Sequence, residues 1–173
     1  SVLAFHGTTD DNYPYAGGVG PDGPSGVNFA PIPSTVLDWV TRNALPDTSK
    51  HITYQQGIET CETYSSPAKD VEVGLCTANP PQKIKVGSII YDGGGHAMPG
   101  GIRNPGSADA DVPTQDINAN VAMWAFFVRH PKTPILSGDL DGNGIRDLTD
   151  VRWSIEMLVG TRPPNLATAD LDS

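Results

Sequence analysis

Two apolar runs that each stop at a loop built for chemistry constrain this chain most. Residues 2–6 run apolar into His6-Gly7-Thr8-Thr9-Asp10-Asp11, and residues 83–91, with Ile84, Val86, Ile89 and Ile90, run into Asp92-Gly93-Gly94-Gly95-His96-Ala97-Met98-Pro99-Gly100-Gly101. Short apolar runs bounded by turn residues are buried strands, and helical spacing elsewhere supplies the layers that cover them. The expected fold is α/β, a sheet with flanking helices. An acid on a strand-end loop followed by a histidine on a glycine-rich loop is the last two-thirds of the order Ser…Asp…His. No serine stands in a Gly-x-Ser-x-Gly turn. Ser25, in Gly23-Pro24-Ser25-Gly26-Val27, comes nearest, but it lies in a Pro/Gly-rich loop.

The remaining elements follow from punctuation. Residues 13–33 are dense in glycine and proline and read as an extended loop. Ser34 or Thr35 can cap a helix carrying Val36, Leu37, Trp39 and Val40. Three strand candidates come next, the last covering residues 83–91. Residues 59–64 and 71–77 flank the turn 65–70 as a hairpin, which points to a Cys61–Cys76 disulfide in an exported protein; two buried, unpaired thiols are the alternative in a reducing compartment. Asp116 opens a second helix with Ile117, Val121, Trp124, Ala125 and Val128 at helical spacing, and Arg129 and His130 suit its C-terminal end. A stiff linker over residues 132–137 then separates residues 1–131 from 138–173.

Composition narrows the functional classes. Apolar residues make up 38% and charged residues 18%, a globular balance. The net charge of −9 comes with no basic stripe, which excludes a nucleic-acid partner. No apolar run is long enough for a membrane span. The first residues read as a strand already under way, and a chain cut from a longer one is the expectation.

A histidine that shuttles a proton must leave the sheet, turn back and present one ring nitrogen. Three preceding glycines supply the backbone freedom that this needs. Asp10 is the candidate partner, because a carboxylate accepting the other imidazole N–H fixes the tautomer and stabilises the imidazolium. Asp11 is the rival, and an Asx-turn is the alternative role for either residue.

A second constellation runs from Asp139 to Asp150. Oxygen-bearing side chains stand at its first, third, fifth, ninth and twelfth positions (Asp139, Asp141, Asn143, Asp147, Asp150), with Gly144 at the sixth and the Ile145 carbonyl at the seventh. A hard cation wants several oxygens around a sharp glycine bend, so the spacing points to calcium. Asp150 stands where an EF-hand has Glu, and it can also cap a helix over residues 151–159 bearing Val151, Ile155 and Leu158, with Gly160 as its stop.

Residues 1 to about 131 resemble the C-terminal half of the polyhydroxybutyrate depolymerase and feruloyl esterase group of α/β-hydrolases. The likeness rests on His6-Gly7-Thr8-Thr9-Asp10, Pro14-Tyr15-Ala16-Gly17-Gly18, Gly94-Gly95-His96 with Pro99-Gly100-Gly101, and the helix with Trp124-Ala125-Phe126-Phe127. It implies that Asp10 is the acid and His96 the base, with the nucleophile and oxyanion hole outside this chain. Met98 and Tyr13 depart from the group's usual residues. The calcium loop with one helix resembles the first repeat of a dockerin, and Asp170-Leu171-Asp172 resembles the start of a second. That likeness implies a cohesin partner on a scaffold protein, met by Leu148, Thr149, Arg152 and Trp153. Together the resemblances imply a fragment of a secreted, extracellular ester hydrolase acting on plant cell-wall polysaccharide esters, inactive by itself. The alternatives are a non-catalytic, calcium-dependent binding module on a decayed hydrolase scaffold, and a storage-polyester depolymerase.

Overall fold

The computed structural model describes residues 1–24, 26–66, 68, 70–103, 110–130, 138, 140–141 and 143–162. They belong to two compact units, Ser1–His130 and Pro131–Ser173. No helix among the described residues is long and apolar enough to cross a membrane.

The first unit is built on a four-stranded sheet of β1 (Val2–Gly7), β4 (Lys50–Gln56), β5 (Glu59–Ser66) and β6 (Val71–Ala78), in the order β1-β6-β5-β4. β1 lies parallel to β6, while β6, β5 and β4 form an antiparallel meander. Alternation along β1 sends Val2 and Ala4 to one face and Leu3 and Phe5 to the other. Each set meets its own core, so the strand reads as a continuous apolar run. On the first face, helix α1 (Ile32–Arg42) buries Val36 and Val40 with Val73 and Leu75. On the second, Ile117 and Ala122, the latter on helix α2 (Ala119–Arg129), pack with Cys61 and Cys76. Those cysteines face each other across β5 and β6 and form the expected disulfide.

Several boundaries differ from the sequence reading. α1 starts at Ile32, before Ser34 and Thr35, whose hydroxyls bond back to the Pro31 carbonyl at 2.9 and 3.1 Å and cap nothing. A proline in the first turn loses no helical hydrogen bond, so the early start is tolerated. α2 starts after Asn118, whose side chain accepts the Val121 N–H at 3.1 Å. Asp116 instead accepts the Ile58 N–H at 2.8 Å and so fastens the β4–β5 turn. There Gly57 is required, since a Cβ would meet the Asp116 carboxylate at 2.1 Å. α2 buries Ala119 and Phe126 and leaves Val121, Trp124 and Val128 exposed, so of the expected stripe Ile117, ahead of the helix, enters the core while these three do not.

Residues 83–91 are no single strand. They fold into a tight hairpin, β7 (Lys85–Val86) against β8 (Ile89–Ile90), about Gly87 at φ +63°. Two more short strands, β2 (Gly18–Val19) and β3 (Asn28–Phe29), pair within the long loop. At the opposite end of the sheet, His130 after α2 meets Glu72 of β6 at 2.7 Å and the Ser1 hydroxyl at 3.1 Å.

In the second unit, helix α3 (Leu148–Leu158) starts three residues before the expected Val151. Asp147 is its N-cap, and Asp150 is the reciprocal partner of a capping box. Gly160, at φ +74°, follows the C-cap Val159.

Glu59 is fully buried at the start of β5, and neither carboxylate oxygen has a hydrogen-bond partner among the described residues. Burial and then the nearby Asp116 charge push its carboxyl up to about 7. The folded chain therefore holds a proton that the unfolded chain releases at its ordinary 4.5, so stability falls as pH rises from there through about 7. Replacing Glu59 with Gln removes that decline. At pH 8 the variant melts higher than the native chain in calorimetry; at pH 4 the two converge.

Candidate functional site: a carboxylate–histidine pair at the sheet edge

β1 and β6 end side by side, with Gly7 opposite Ala78. The chain leaving β1 is then held on both sides, by Thr8 N–H to the Ala78 carbonyl at 2.9 Å and Thr9 N–H to the Gly94 carbonyl at 3.0 Å. Gly7 permits this approach, because a Cβ would lie 1.9 Å from the Gly94 oxygen. Asp10 follows, 6% exposed. Its Oδ1 accepts the Asn12 and Tyr13 N–H groups at 2.8 and 2.9 Å, an Asx-turn. Its Oδ2 faces His96 Nδ1 at 2.8 Å. The turn role and the acid role are filled by the two oxygens of one side chain.

His96 is reached through Gly93, at φ +88°. Asp92 fastens the near side of this loop, accepting the Gly94 N–H at 2.7 Å and the Thr9 hydroxyl at 2.8 Å through Oδ1. Asp111 fastens the far side, accepting the Ile90 and His96 N–H groups at 2.7 and 2.6 Å. The His96 side chain is 57% exposed, and its Nε2 makes no hydrogen bond among the described residues. It borders a cavity of about 360 Å³ lined by Phe5, Tyr13, Ile32 and Met98.

The rival Asp11 is committed elsewhere. Lys85 reaches it at 2.6 Å, and Lys83 pairs with it as well. Although burial opposes it, these two ammonium groups hold its carboxyl below the usual range. Asp11 thereby ties the β7–β8 hairpin to the loop after β1. Ser25 lies outside the described residues.

His6, Asp92 and Asp111 were not singled out by sequence. His6 donates from Nδ1 to the Gly7 carbonyl at 2.9 Å, and its Nε2 stands 3.9 Å from Asp10 Oδ2. Its place in His-Gly-Thr was the available signal. Asp92 was visible as the residue opening the glycine run. Asp111 carried no local signal.

The electrostatics of the pair are reciprocal. Burial raises the Asp10 carboxyl, but the His96 hydrogen bond, the Tyr13 and Asn12 amides and the His96 charge bring it below its usual 3.8. The Asp10 hydrogen bond raises His96 above 6.5 against its partial burial, with further help from the charges of Asp10 and Asp111. An imidazole held through Nδ1 presents Nε2 as a proton acceptor, the arrangement of a general base.

Of the calcium-loop residues, Asp139 lies outside the described residues. Gly144 takes the sharp bend at φ +84°. Asp141 accepts from the Asn143 main-chain N–H and side-chain amide at 3.0 and 2.9 Å, and Asn143 accepts from Ile145 N–H at 2.7 Å. The buried Asp150 accepts three main-chain N–H groups, from Leu140, Asp141 and Asp147 at 2.6, 3.3 and 2.9 Å. Asp147 accepts from Thr149 N–H at 2.7 Å. Among the described residues, no three His, Cys, Asp or Glu side chains are placed to hold a metal. Gly144 supplies the expected bend, but the described donors Asp141, Asn143, Asp147 and Asp150 are turned into the loop's own amides. Leu148, Thr149 and Arg152 are exposed, whereas Trp153 is half-buried with the Arg162 guanidinium 3.8 Å above its ring.

No family model, curated protein or solved structure matches this chain.

Because His96 draws its raised proton affinity first from Asp10, the Asp10→Asn variant titrates His96 at lower pH than the native chain. The His96 value lies above the ordinary 6.5 and the Asp10 value below the ordinary 3.8, so the pair's stabilisation is fullest between those two pH values, fading as pH rises through the folded value of His96 and as it falls through that of Asp10. Following the His96 Cε1–H signal by NMR across that range checks both statements.

Proposed function

We propose that Ser1–His130 is the acid–base portion of a serine carboxylic ester hydrolase, with Asp10 as the orienting acid and His96 as the general base. The observation that carries this reading is the 2.8 Å Asp10–His96 contact beside a cavity, with the histidine's second nitrogen uncommitted among the described residues. In the reaction, His96 Nε2 takes the proton of an attacking serine hydroxyl and later returns it to the leaving alcohol. Asp10 keeps the ring in the required tautomer and stabilises its cation. Neither the nucleophile nor the oxyanion donors are assigned to residues of this chain.

Calcium is the proposed cation of the loop from Asp139 to Asp150, with Asp139, Asp141, Asn143, Asp147 and the Ile145 carbonyl as its donors and Asp150 joining once it leaves its amides. When bound, the ion supplies the charge that lets these carboxylates converge. The resemblance to a dockerin makes a cohesin the proposed partner, and it makes a polysaccharide ester the proposed substrate class. Leu148, Thr149, Arg152 and Trp153 remain the proposed contacts, although the Arg162 guanidinium covers one face of the Trp153 ring. The Cys61–Cys76 disulfide supports an oxidising, extracytoplasmic setting.

The chain alone should hydrolyse methyl ferulate and p-nitrophenyl acetate no faster than buffer. Extended at its N-terminal side to include a Gly-x-Ser-x-Gly segment, it should hydrolyse such esters, with kcat falling about 10⁴-fold in Asp10→Asn. Turnover by the unextended chain that vanishes in His96→Ala would demand a different nucleophile, and an extension without such a segment favours the non-catalytic reading.

Calorimetry tests the cation. Calcium binding by the native chain should disappear in the double variant Asp139→Ala, Asp141→Ala, and unchanged affinity there reduces the loop to an acidic turn.

A further inference from the structure

The Asp10–His96 contact accounts for one carboxylate at the site, and Asp111 places a second behind the histidine. Asp111 is 7% exposed. One of its oxygens accepts the N–H of Ile90, the last residue of β8, at 2.7 Å; the other accepts the N–H of His96 at 2.6 Å. A single side chain thus spans the whole glycine turn, from the strand that enters it to the histidine that leaves it. The next residue, Val112, donates its N–H to the Ile90 carbonyl at 2.8 Å, so the segment carrying Asp111 is itself registered on β8. Gly95 lies between the two amides, and a Cβ there would stand 2.4 Å from Asp111 Oδ2. The third glycine of the run is therefore required by the carboxylate as well as by the turn.

We propose that Asp111 is a positioning residue for His96: its carboxylate fixes the histidine's main chain and thereby aims Nδ1 at Asp10. The inference rests on the reading of His96 as a general base. A glycine-rich loop has wide backbone freedom, and Asp10 alone holds only one nitrogen of the ring. Hydrogen bonds from amides to an ionised carboxylate are among the stronger ones, and two of them at opposite ends of the turn leave little room for the ring to swing. The charge also acts on the ring. After the hydrogen bond and charge of Asp10, the charge of Asp111 adds to the proton affinity of His96. Of the other ionisable groups in this region, His6 stands against Asp10, Asp92 is engaged with Gly94, Ile84 and Thr9, and Asp11 is held by its lysines.

The test uses the full chain and needs no turnover. An N–H shared between Nδ1 and Asp10 gives a far-downfield proton signal, and the His96 ring titrates at raised pH. In Asp111→Asn, one of the two main-chain N–H groups loses its acceptor. The downfield signal should then broaden or vanish, the His96 amide should lose protection from exchange, and the ring should titrate at lower pH. Asp92→Asn, which weakens the other side of the loop, should leave the ring titration in place. Native behaviour of His96 in a folded Asp111→Asn variant overturns the proposal, and so does an equal shift in Asp92→Asn. If Asp111→Asn does not fold, Gly95→Ala supplies the second measurement, because a Cβ there would stand 2.4 Å from Asp111 Oδ2 and must displace it. The downfield signal should weaken and the His96 ring should titrate at lower pH in that variant, and native behaviour of both overturns the proposal. A native chain lacking the downfield signal removes the general-base reading first, an outcome distinct from a signal present in the native chain and retained in Asp111→Asn.

Discussion

A Cβ on residue 7 would lie 1.9 Å from the carbonyl oxygen of Gly94, so two loops distant in sequence meet because position 7 carries no side chain there. The contact follows from the parallel pairing of β1 with β6, which brings the end of β1 to the sheet edge under the glycine run. Once the backbones touch, Thr9 bonds to Gly94 and to Asp92, and Asp10 arrives within reach of His96. Any residue larger than glycine at position 7 would separate the acid from the base before altering either.

The rest of the first unit holds that edge in place. Both faces of β1 are covered, which commits its direction, and the disulfide fixes the register of β5 on β6. Asp11 holds the β7–β8 hairpin through two lysines, and the hairpin delivers the chain to Gly93. Glu59 runs against this economy: a buried carboxyl beside Asp116, with no partner among the described residues, it weakens the sheet as it ionises.

Local signals carried the parts of this architecture that depend on neighbours in sequence. The apolar run before Gly7, the hairpin cysteines and the glycines before His96 each announce a strand or a turn through their own chemistry. The run at 83–91 misled because its apolar residues flank Gly87, and periodicity cannot separate one strand from two short ones folded at a glycine. α2 misled for a different reason. Its sequence is apolar nearly all round, so spacing alone could not choose the face that meets the sheet. Asp116 reads as a helix cap in sequence, but its partner, the Ile58 N–H, lies on a distant turn. Asp111 had no local mark, because both its partners are main-chain amides that only the folded loop brings together.

The divided duty of Asp10 has a consequence for what could replace it. One oxygen closes the turn with Asn12 and Tyr13, while the other holds the imidazole. The Asx-turn needs the carboxylate one methylene from the backbone, and the ring needs the same group to be held without swing. Glutamate, with the same charge and one more rotatable bond, would have to surrender the turn to keep the histidine, or the histidine to keep the turn. At this position the length of the arm matters as much as the acid it carries, and in that sense the backbone of the loop has chosen the acid.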